Sequence, residues 1–152
     1  MQKKELIIIG AHCPDNERLK LLENCLNSLQ PIRDRFDVLI ISHTYVPEHI
    51  AVNSDYVIYD KSNELITDWD LMNTPWFKPY PGLTIISSLV SNYSVYLAAY
   101  RLMIPALGFA KNFGYKSAHF LDYDCLIVDH SDFIENSKII DDYVAIQYTD
   151  EF

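Results

Sequence analysis

Residues 5–42 decide the fold class and read ELIIIGAHCPDNERLKLLENCLNSLQPIRDRFDVLIIS. The stretch starts with a short, continuous apolar run rich in β-branched residues, Leu6 to Ile9, which is typical of a strand buried on both faces. Pro14 and Asp15 then mark the start of a helix that ends before Gln30 and Pro31. The leucines of this helix recur three or four residues apart, at positions Leu19, Leu22, Leu26 and Leu29.

The end of this stretch, FDVLIIS at residues 36–42, predicts a second buried strand. A helix between two such strands indicates a right-handed β-α-β unit with parallel pairing. Residues 55–59, DYVIY, predict a third strand, and Pro47 to Asn53 suit one short helical turn before it. The fold class predicted for the chain is therefore α/β, with a mostly parallel, Rossmann-like sheet flanked by helices.

The second half of the chain continues the same alternation. Residues 93–113 predict a long helix that Gly114 stops and that Pro105 kinks or divides. A fourth buried strand is expected in AHFLDYDCLIVD, residues 118–129, and then a short helix over 131–139 and a strand over 143–148. Residues 62–92 lack periodicity and carry Trp69 and Trp76, so a lid or binding loop and a plain cover for the core both remain open.

Length and charge limit the classes of function. A chain of 152 residues predicts one domain, 1–152, and the content of 49% hydrophobic and 22% charged residues is typical of a globular protein. The formal net charge of -9 argues against a nucleic-acid-binding surface, because such surfaces need clustered Lys and Arg. An acidic protein can still bind a nucleoside diphosphate when a divalent cation lies between its carboxylates and the phosphates.

Targeting signals are weak in this sequence. The three cysteines, Cys13, Cys25 and Cys125, lack zinc-site spacing, and the first apolar run is too short for a signal peptide. No apolar run reaches the roughly 18 residues of a membrane span. We therefore expect a cytoplasmic location and no membrane span.

Polar residues follow each predicted strand. They are His12, Asp15 and Glu17 after the first strand, Ser42, His43 and Thr44 at the second, Asp60 and Lys61 after the third, and Asp122 and Asp124 at the fourth. In an open parallel sheet, ligands bind outside the carboxyl ends of the strands. This convergence predicts a binding site there.

The aspartates of this set suggest a metal site. In an extended strand, side chains two apart point to one side, so Asp122 and Asp124 could approach one ion while Tyr123 faces away. Two adjacent carboxylates favour a bound cation, and Mg²⁺ or Mn²⁺ takes carboxylate and phosphate oxygens together. An isolated pair of this kind more often ends a strand in a solvated turn, so the prediction depends on the other strand ends.

The stretch KNFGYKSAHFLDYD at 111–124 resembles the D-x-D region of GT-A glycosyltransferases, particularly the family 2 type. The opening LIIIGAHCPDNERLKLLENCLNSL at 6–29 is similar to the first strand and helix of that family. The resemblance implies a GT-A nucleotide-diphospho-sugar transferase fold. It also implies a metal-dependent hexosyl transfer from a nucleoside diphosphate sugar, with UDP favoured, to an unknown sugar, lipid or protein acceptor.

Carried over residue by residue, the resemblance implies that Asp124 ligates the metal, Mn²⁺ or Mg²⁺, and that Asp122 lies near the metal or the ribose, with Tyr123 in the nucleotide-sugar site. It implies that Asp60 meets a uracil-like base edge. The residues implied to line the nucleoside are His12, Cys13, Pro14 and Glu17. Arg101 is either a phosphate or sugar contact or a surface cation over apolar neighbours.

Two departures from the family pattern limit this assignment. Ser42, His43 and Thr44 stand where the family often has an acidic turn, and the acceptor-binding half that supplies the catalytic base is expected to be absent or truncated. The alternative function is a non-catalytic module, derived from such a domain, that binds a nucleotide or a partner. A receiver-like phosphoacceptor domain fits less well, because it pairs its acids after the first strand, where this chain has His12 and Asp15.

Overall fold

A parallel β-sheet with helices on both faces forms the core of the structure, a computed structural model that describes residues 5–60 and 102–138. Within those residues the sheet has four strands, and its spatial order is β3-β2-β1-β4 with every neighbouring pair parallel. The strands are β1 (Glu5–Ala11), β2 (Phe36–Ser42), β3 (Tyr56–Tyr59) and β4 (Ala118–Asp122). The predicted α/β class and parallel pairing are confirmed.

The helices alternate with these strands. They are α1 (Asn16–Ser28), α2 (Glu48–Ala51), α3 (the helical residues 102–113) and α4 (His130–Lys138), and a short 3₁₀ helix, Gln30–Ile32, follows α1. Gly114 ends α3 with a φ of 74°, a left-handed conformation that glycine adopts without steric cost. The predicted stop is confirmed.

One expectation about α3 needs correction. Pro105 does not divide this helix within the described residues, because residues 102–113 are helical without a break, and the alternative of a kink at Pro105 stays a prediction. A proline removes one hydrogen bond from a helix, and the residues that follow can retain the helical conformation.

Several predicted features lie outside the described residues. They are Lys61, Arg101, the aperiodic segment 62–92 with Trp69 and Trp76, the first part of the long helix expected over 93–113, and the strand expected over 143–148. Among the helices that the structure describes, none combines the length and the apolar character needed to cross a membrane.

Strand β1 is buried on both faces, as its apolar run predicts. Ile7 and Ile9 pack on the side of α1 and α4, and Leu6 and Ile8 pack on the side of α3, all with no exposed surface. Burial of one such side chain stabilises a fold by about 1.5 to 3 kcal/mol relative to its exposure. The apolar side chains of β1 therefore pack against the helices on both faces of the sheet.

Helix α1 forms where the leucine spacing predicts it. The carboxylate of Asp15 caps the helix and accepts a hydrogen bond from the main-chain nitrogen of Arg18 at 2.9 Å. Leu22 and Leu26 lie in the core, together with Leu29 at the end of the helix. The helix therefore packs against β1, and it begins on the side of the sheet where the parallel strands end.

Strand β4 departs from its prediction as a buried strand. Its residues are half-buried or exposed, and Leu126 and Val128 in the apolar run after it are 56% and 87% exposed. Among the described strands, β4 pairs with β1 alone.

A buried carboxylate connects the amino ends of the strands. Glu5 is 5% exposed and accepts hydrogen bonds from Arg35 at 2.6 Å, Ser117 at 3.0 Å and His119 at 3.0 Å. Arg35 also donates to Ser137 in α4 at 3.2 Å. Burial alone raises the pKa of Glu5, but the hydrogen bonds from Arg35, His119 and Ser117 outweigh it and hold the pKa below its usual value.

We expect Glu5→Gln to lower the free energy of unfolding by about 2 kcal/mol. The amide removes the negative charge that faces Arg35 and His119, and it places an N–H₂ group against donors. Urea unfolding followed by circular dichroism measures the change. Glu135→Gln, on the exposed side of α4, is the matched control and should change stability by less than about 0.5 kcal/mol. Equal stability of the two variants would contradict the role of Glu5.

The pH dependence of stability follows from His119. Burial lowers the pKa of this imidazole below the ordinary 6.5, despite the opposing effect of Glu5. The unfolded chain therefore takes up a proton near pH 6.5 that the folded protein resists, so stability falls as the pH drops through that value. His12 and His43 have lowered pKa values for the same first reason, burial.

Urea unfolding at about pH 7.5 and about pH 5.5 tests this prediction. The free energy of unfolding should be smaller at the lower pH, and His119→Gln should show a shallower dependence than the unmodified protein. An increase in stability towards pH 5.5 would show that the histidines do not control this range.

Candidate functional site

The register of the sheet brings four strand ends to one edge. Gly10 pairs with Asp122, Ala11 pairs with Ser42, and Ser42 pairs with Tyr59. Because all the strands are parallel, the residues that follow them emerge at the same edge. We call this the carboxyl edge of the sheet.

The strand order singles out one position on this edge. From β1 the chain moves outward to β2 and β3, and it later returns to place β4 on the other side of β1. Ligands in open α/β sheets bind at the point where the strand order reverses. Here that point lies between β1 and β4, where the loop after β1 is next to Asp122.

The aspartates at this position lie in a turn. Strand β4 ends at Asp122, and the main-chain nitrogen of Cys125 donates to the carbonyl oxygen of Asp122 at 3.1 Å. The expectation that Asp122 and Asp124 share one side of an extended strand is therefore wrong, because the backbone turns between them. Burial and then the charge of Asp124 raise the pKa of Asp122.

Arg18 joins the start of α1 to this turn. Its guanidinium lies 2.6 Å from the carboxylate of Asp15, and it is near enough to the phenol of Tyr123 to lower the pKa of that hydroxyl, although burial raises it overall. Guanidinium carries five N–H donors, so the ion pair with Asp15 leaves others for a ligand. Sequence reasoning missed Arg18. The signal available was a basic residue three positions after a capping aspartate, which a surface ion pair also explains.

Helix α1 is also hydrogen-bonded to the main chain of this turn. The buried thiol of Cys25 donates to the main-chain oxygen of Asp122 at 3.8 Å, and the main-chain nitrogen of Ile127 donates to Ser28 at 3.1 Å. The main chain on both sides of Tyr123 and Asp124 is thereby fixed to one helix. The positions of these two side chains depend on α1 as well as on β4.

The loops after β1 and β2 are fixed to each other. Thr44 accepts a hydrogen bond from the main-chain nitrogen of Cys13 at 2.9 Å, and the hydroxyl of Ser42 lies 3.0 Å from the main-chain oxygen of Ala11. Ser42 is fully buried. These contacts give Ser42 and Thr44 a structural role in joining the two loops.

The same loops bring two imidazoles together. Nδ1 of His12 lies 2.5 Å from Nε2 of His43, across the ends of β1 and β2. Burial, followed by the charges of Arg18 for His12 and of His12 for His43, lowers the pKa of both rings. Both imidazoles are therefore neutral near pH 7.

The structure places the predicted site residues with different exposure. Pro14, Glu17, Asp122 and Asp124 are exposed, His12, Asp60 and Tyr123 are half-buried, Cys13 is buried, and Arg101 lies outside the described residues. Cys13 is 3% exposed. A contact of Cys13 with a ligand would therefore use its main chain, and its role remains a prediction.

The metal ligands also remain a prediction. In residues 5–60 and 102–138, no group of three or more His, Cys, Asp or Glu side chains is arranged to hold an ion. Mg²⁺ is commonly bound by one or two carboxylates together with substrate phosphates and water. The carboxylate oxygens of Asp122 and Asp124 are ligand atoms of the type that such a site uses.

No match to this chain emerges from comparison with family models, with curated proteins or with solved structures, so the function is argued from the residues of the site.

The cysteines give a direct test of how the site is packed. Burial raises the pKa of Cys13 to about 11 and that of Cys25 to about 12. Partial burial and the charges of Asp122 and Asp124 also raise the pKa of Cys125, but its side chain is exposed and open to a reagent. Because the thiolate is the reactive form, we expect one thiol to react with a disulfide reagent in the native protein and three to react in urea.

Cys125→Ser is the control for this experiment and should remove the reaction of the native protein. Reaction of Cys13 or Cys25 at a rate similar to that of Cys125 would show that these two thiols are not buried as described.

Proposed function

We propose that this chain is the nucleotide-binding domain of a GT-A glycosyltransferase that transfers a hexose from a nucleoside diphosphate sugar, with UDP favoured. The observation that carries the proposal is the position of the Asp122–Asp124 turn. It lies beside β1 at the point where the strand order reverses, next to Arg18 and Tyr123. A fold of this type binds its ligand there.

The aspartates are assigned to a divalent cation, Mn²⁺ or Mg²⁺. Asp124 is exposed in the turn, and Asp122 has a raised pKa because it is partly desolvated and faces Asp124. A cation relieves this repulsion and supplies positive charge to a diphosphate leaving group. This arrangement accounts for how a protein with a net charge of -9 could bind a phosphate ligand.

Arg18 is assigned to the diphosphate together with this ion. The ion pair with Asp15 restricts the guanidinium near the start of α1, on the side of Tyr123 in the β4 turn. A fixed guanidinium loses less conformational entropy when it binds phosphate oxygens than a free side chain does. Tyr123 thus has a positioning role in this proposal.

The nucleoside is assigned to the loop after β1 and to the end of β3. His12 is half-buried beside the exposed Pro14, and Asp60 follows β3 and donates its main-chain N–H to the carbonyl of Ser42 at 2.8 Å. The charge of Asp60 acts on His43, which is the partner of His12. The two regions assigned to the nucleoside are therefore connected through the histidines.

Calorimetric titration with UDP and GDP, each with and without Mn²⁺, tests the proposal. We expect UDP binding that depends on Mn²⁺, and we expect Asp124→Asn to weaken it by about tenfold or more, because the amide is a neutral and poorer ligand for a hard cation. Asp34→Asn is the matched control. Asp34 is an exposed residue before β2, at the opposite edge of the sheet, and this variant should bind as the unmodified protein does.

Two results would contradict the proposal. The absence of Mn²⁺-dependent heat with either nucleotide would exclude the nucleotide-sugar site. Nucleotide binding of equal strength without the ion, or unchanged binding in Asp124→Asn, would assign the chain to the alternative of a non-catalytic nucleotide-binding module.

A further inference from the structure

His12 and His43 face each other through their ring nitrogens. The ring planes differ by 25° and the ring centroids are 4.6 Å apart, while Nδ1 of His12 and Nε2 of His43 are 2.5 Å apart. The nitrogens thus lie between two nearly coplanar rings. A neutral imidazole has one nitrogen that donates and one that accepts. If one ring donates in this contact, the other must accept, so each ring determines the tautomer of the other.

The second ring nitrogen of His43, Nδ1, distinguishes the two possible placements of the protons on this pair of rings. Nδ1 of His43 is buried and has no hydrogen-bond partner among the residues that the structure describes. In one arrangement His12 donates, and the proton of His43 lies on this buried nitrogen. In the other arrangement Nε2 of His43 donates to His12, and the buried nitrogen carries only a lone pair.

The second arrangement has the lower cost. Buried N–H groups without a partner are rarer in folded proteins than buried acceptors with unused lone pairs. The proton of His43 therefore belongs on Nε2, where it makes the hydrogen bond to Nδ1 of His12. His12 must then carry its own proton on Nε2. In the described ranges, Nε2 of His12 has no protein partner.

The surrounding charges are compatible with two neutral rings. Arg18 and Asp15 act on His12 in opposite directions, and Asp60 acts on His43. The stronger effect on both imidazoles is burial, which disfavours the charged form. A doubly protonated ring would also place an unpartnered N–H on the buried side of the pair.

We propose that His43 holds His12 in the tautomer with its proton on Nε2, so that His12 donates a hydrogen bond to an oxygen atom of the bound nucleotide. The proposal rests on the nucleotide site proposed above and adds to it a positioning residue and a direction for the hydrogen bond. His12 then donates to phosphate or carbonyl oxygens and disfavours amino groups, which are donors themselves.

Nitrogen-15 NMR of the imidazoles tests the tautomer without any ligand. Nδ1 of His12 should have the chemical shift of an unprotonated nitrogen, and Nε2 should have that of a protonated one. His49, which is exposed on α2, is the internal reference for a ring free to exchange between tautomers. A proton on Nδ1 of His12, or averaging like that of His49, would overturn the proposal.

Two substitutions at His43 separate hydrogen bonding from shape. His43→Phe retains a ring but cannot donate, so UDP affinity in the presence of Mn²⁺ should fall about tenfold as His12 loses its fixed tautomer. His43→Gln retains a donor and should remain within about twofold of the unmodified protein. Unchanged affinity in His43→Phe, or an equal loss in both variants, would contradict the positioning role.

Uridine and pyrophosphate identify the oxygen that His12 contacts. If His43→Phe binds uridine more weakly than the unmodified protein does, the contact lies on the nucleoside, and if it binds pyrophosphate more weakly, the contact lies on the phosphates. Unchanged affinity for both compounds would overturn the contact. If the unmodified protein binds no nucleotide, the proposed function and the nucleotide contact of His12 both fall, while the NMR result decides the tautomer separately.

Discussion

The pairing of β1 with β2 on one side and with β4 on the other is the constraint on which the rest of the structure depends. Strand β1 has a neighbour on each side and two buried faces, and a slip of its register would separate the buried Glu5 from Arg35, Ser117 and His119. That register sets Gly10 beside Asp122. The position of the aspartate turn is therefore a consequence of core packing.

Polar groups near the two ends of β1 differ in how completely they are hydrogen-bonded. At the amino end, Glu5 has three donors and a lowered pKa, which is typical of a charge whose role is structural. Beside the carboxyl end, the exposed Asp122 of β4 has a raised pKa, and His43 has a buried nitrogen without a partner in the described ranges. Incomplete satisfaction at one edge of a well-packed sheet is typical of a functional site.

The local features of this chain could be predicted from sequence, and the contacts between distant segments could not. The apolar run of β1, the leucine spacing of α1 and the stop at Gly114 are each encoded in a few neighbouring residues, and all three are confirmed. The pair of His12 and His43 spans 31 residues, and the contact of Arg18 with Tyr123 spans the β1–β4 register. Such contacts depend on strand order.

The aspartate turn illustrates the same limit from the opposite direction. A D-x-D triplet predicts two side chains on one side only if the strand continues, and β4 stops at the first aspartate because Cys125 closes a turn there. The turn leaves Asp124 exposed and places Tyr123 against Arg18.

The carboxyl edge thus changes from acidic at β4, through the cation Arg18, to neutral imidazoles at β1 and β2. A nucleoside diphosphate carries its charge at one end and an uncharged base at the other. With a divalent cation between the β4 carboxylates and the phosphates, this order matches the proposed orientation of the ligand along the edge.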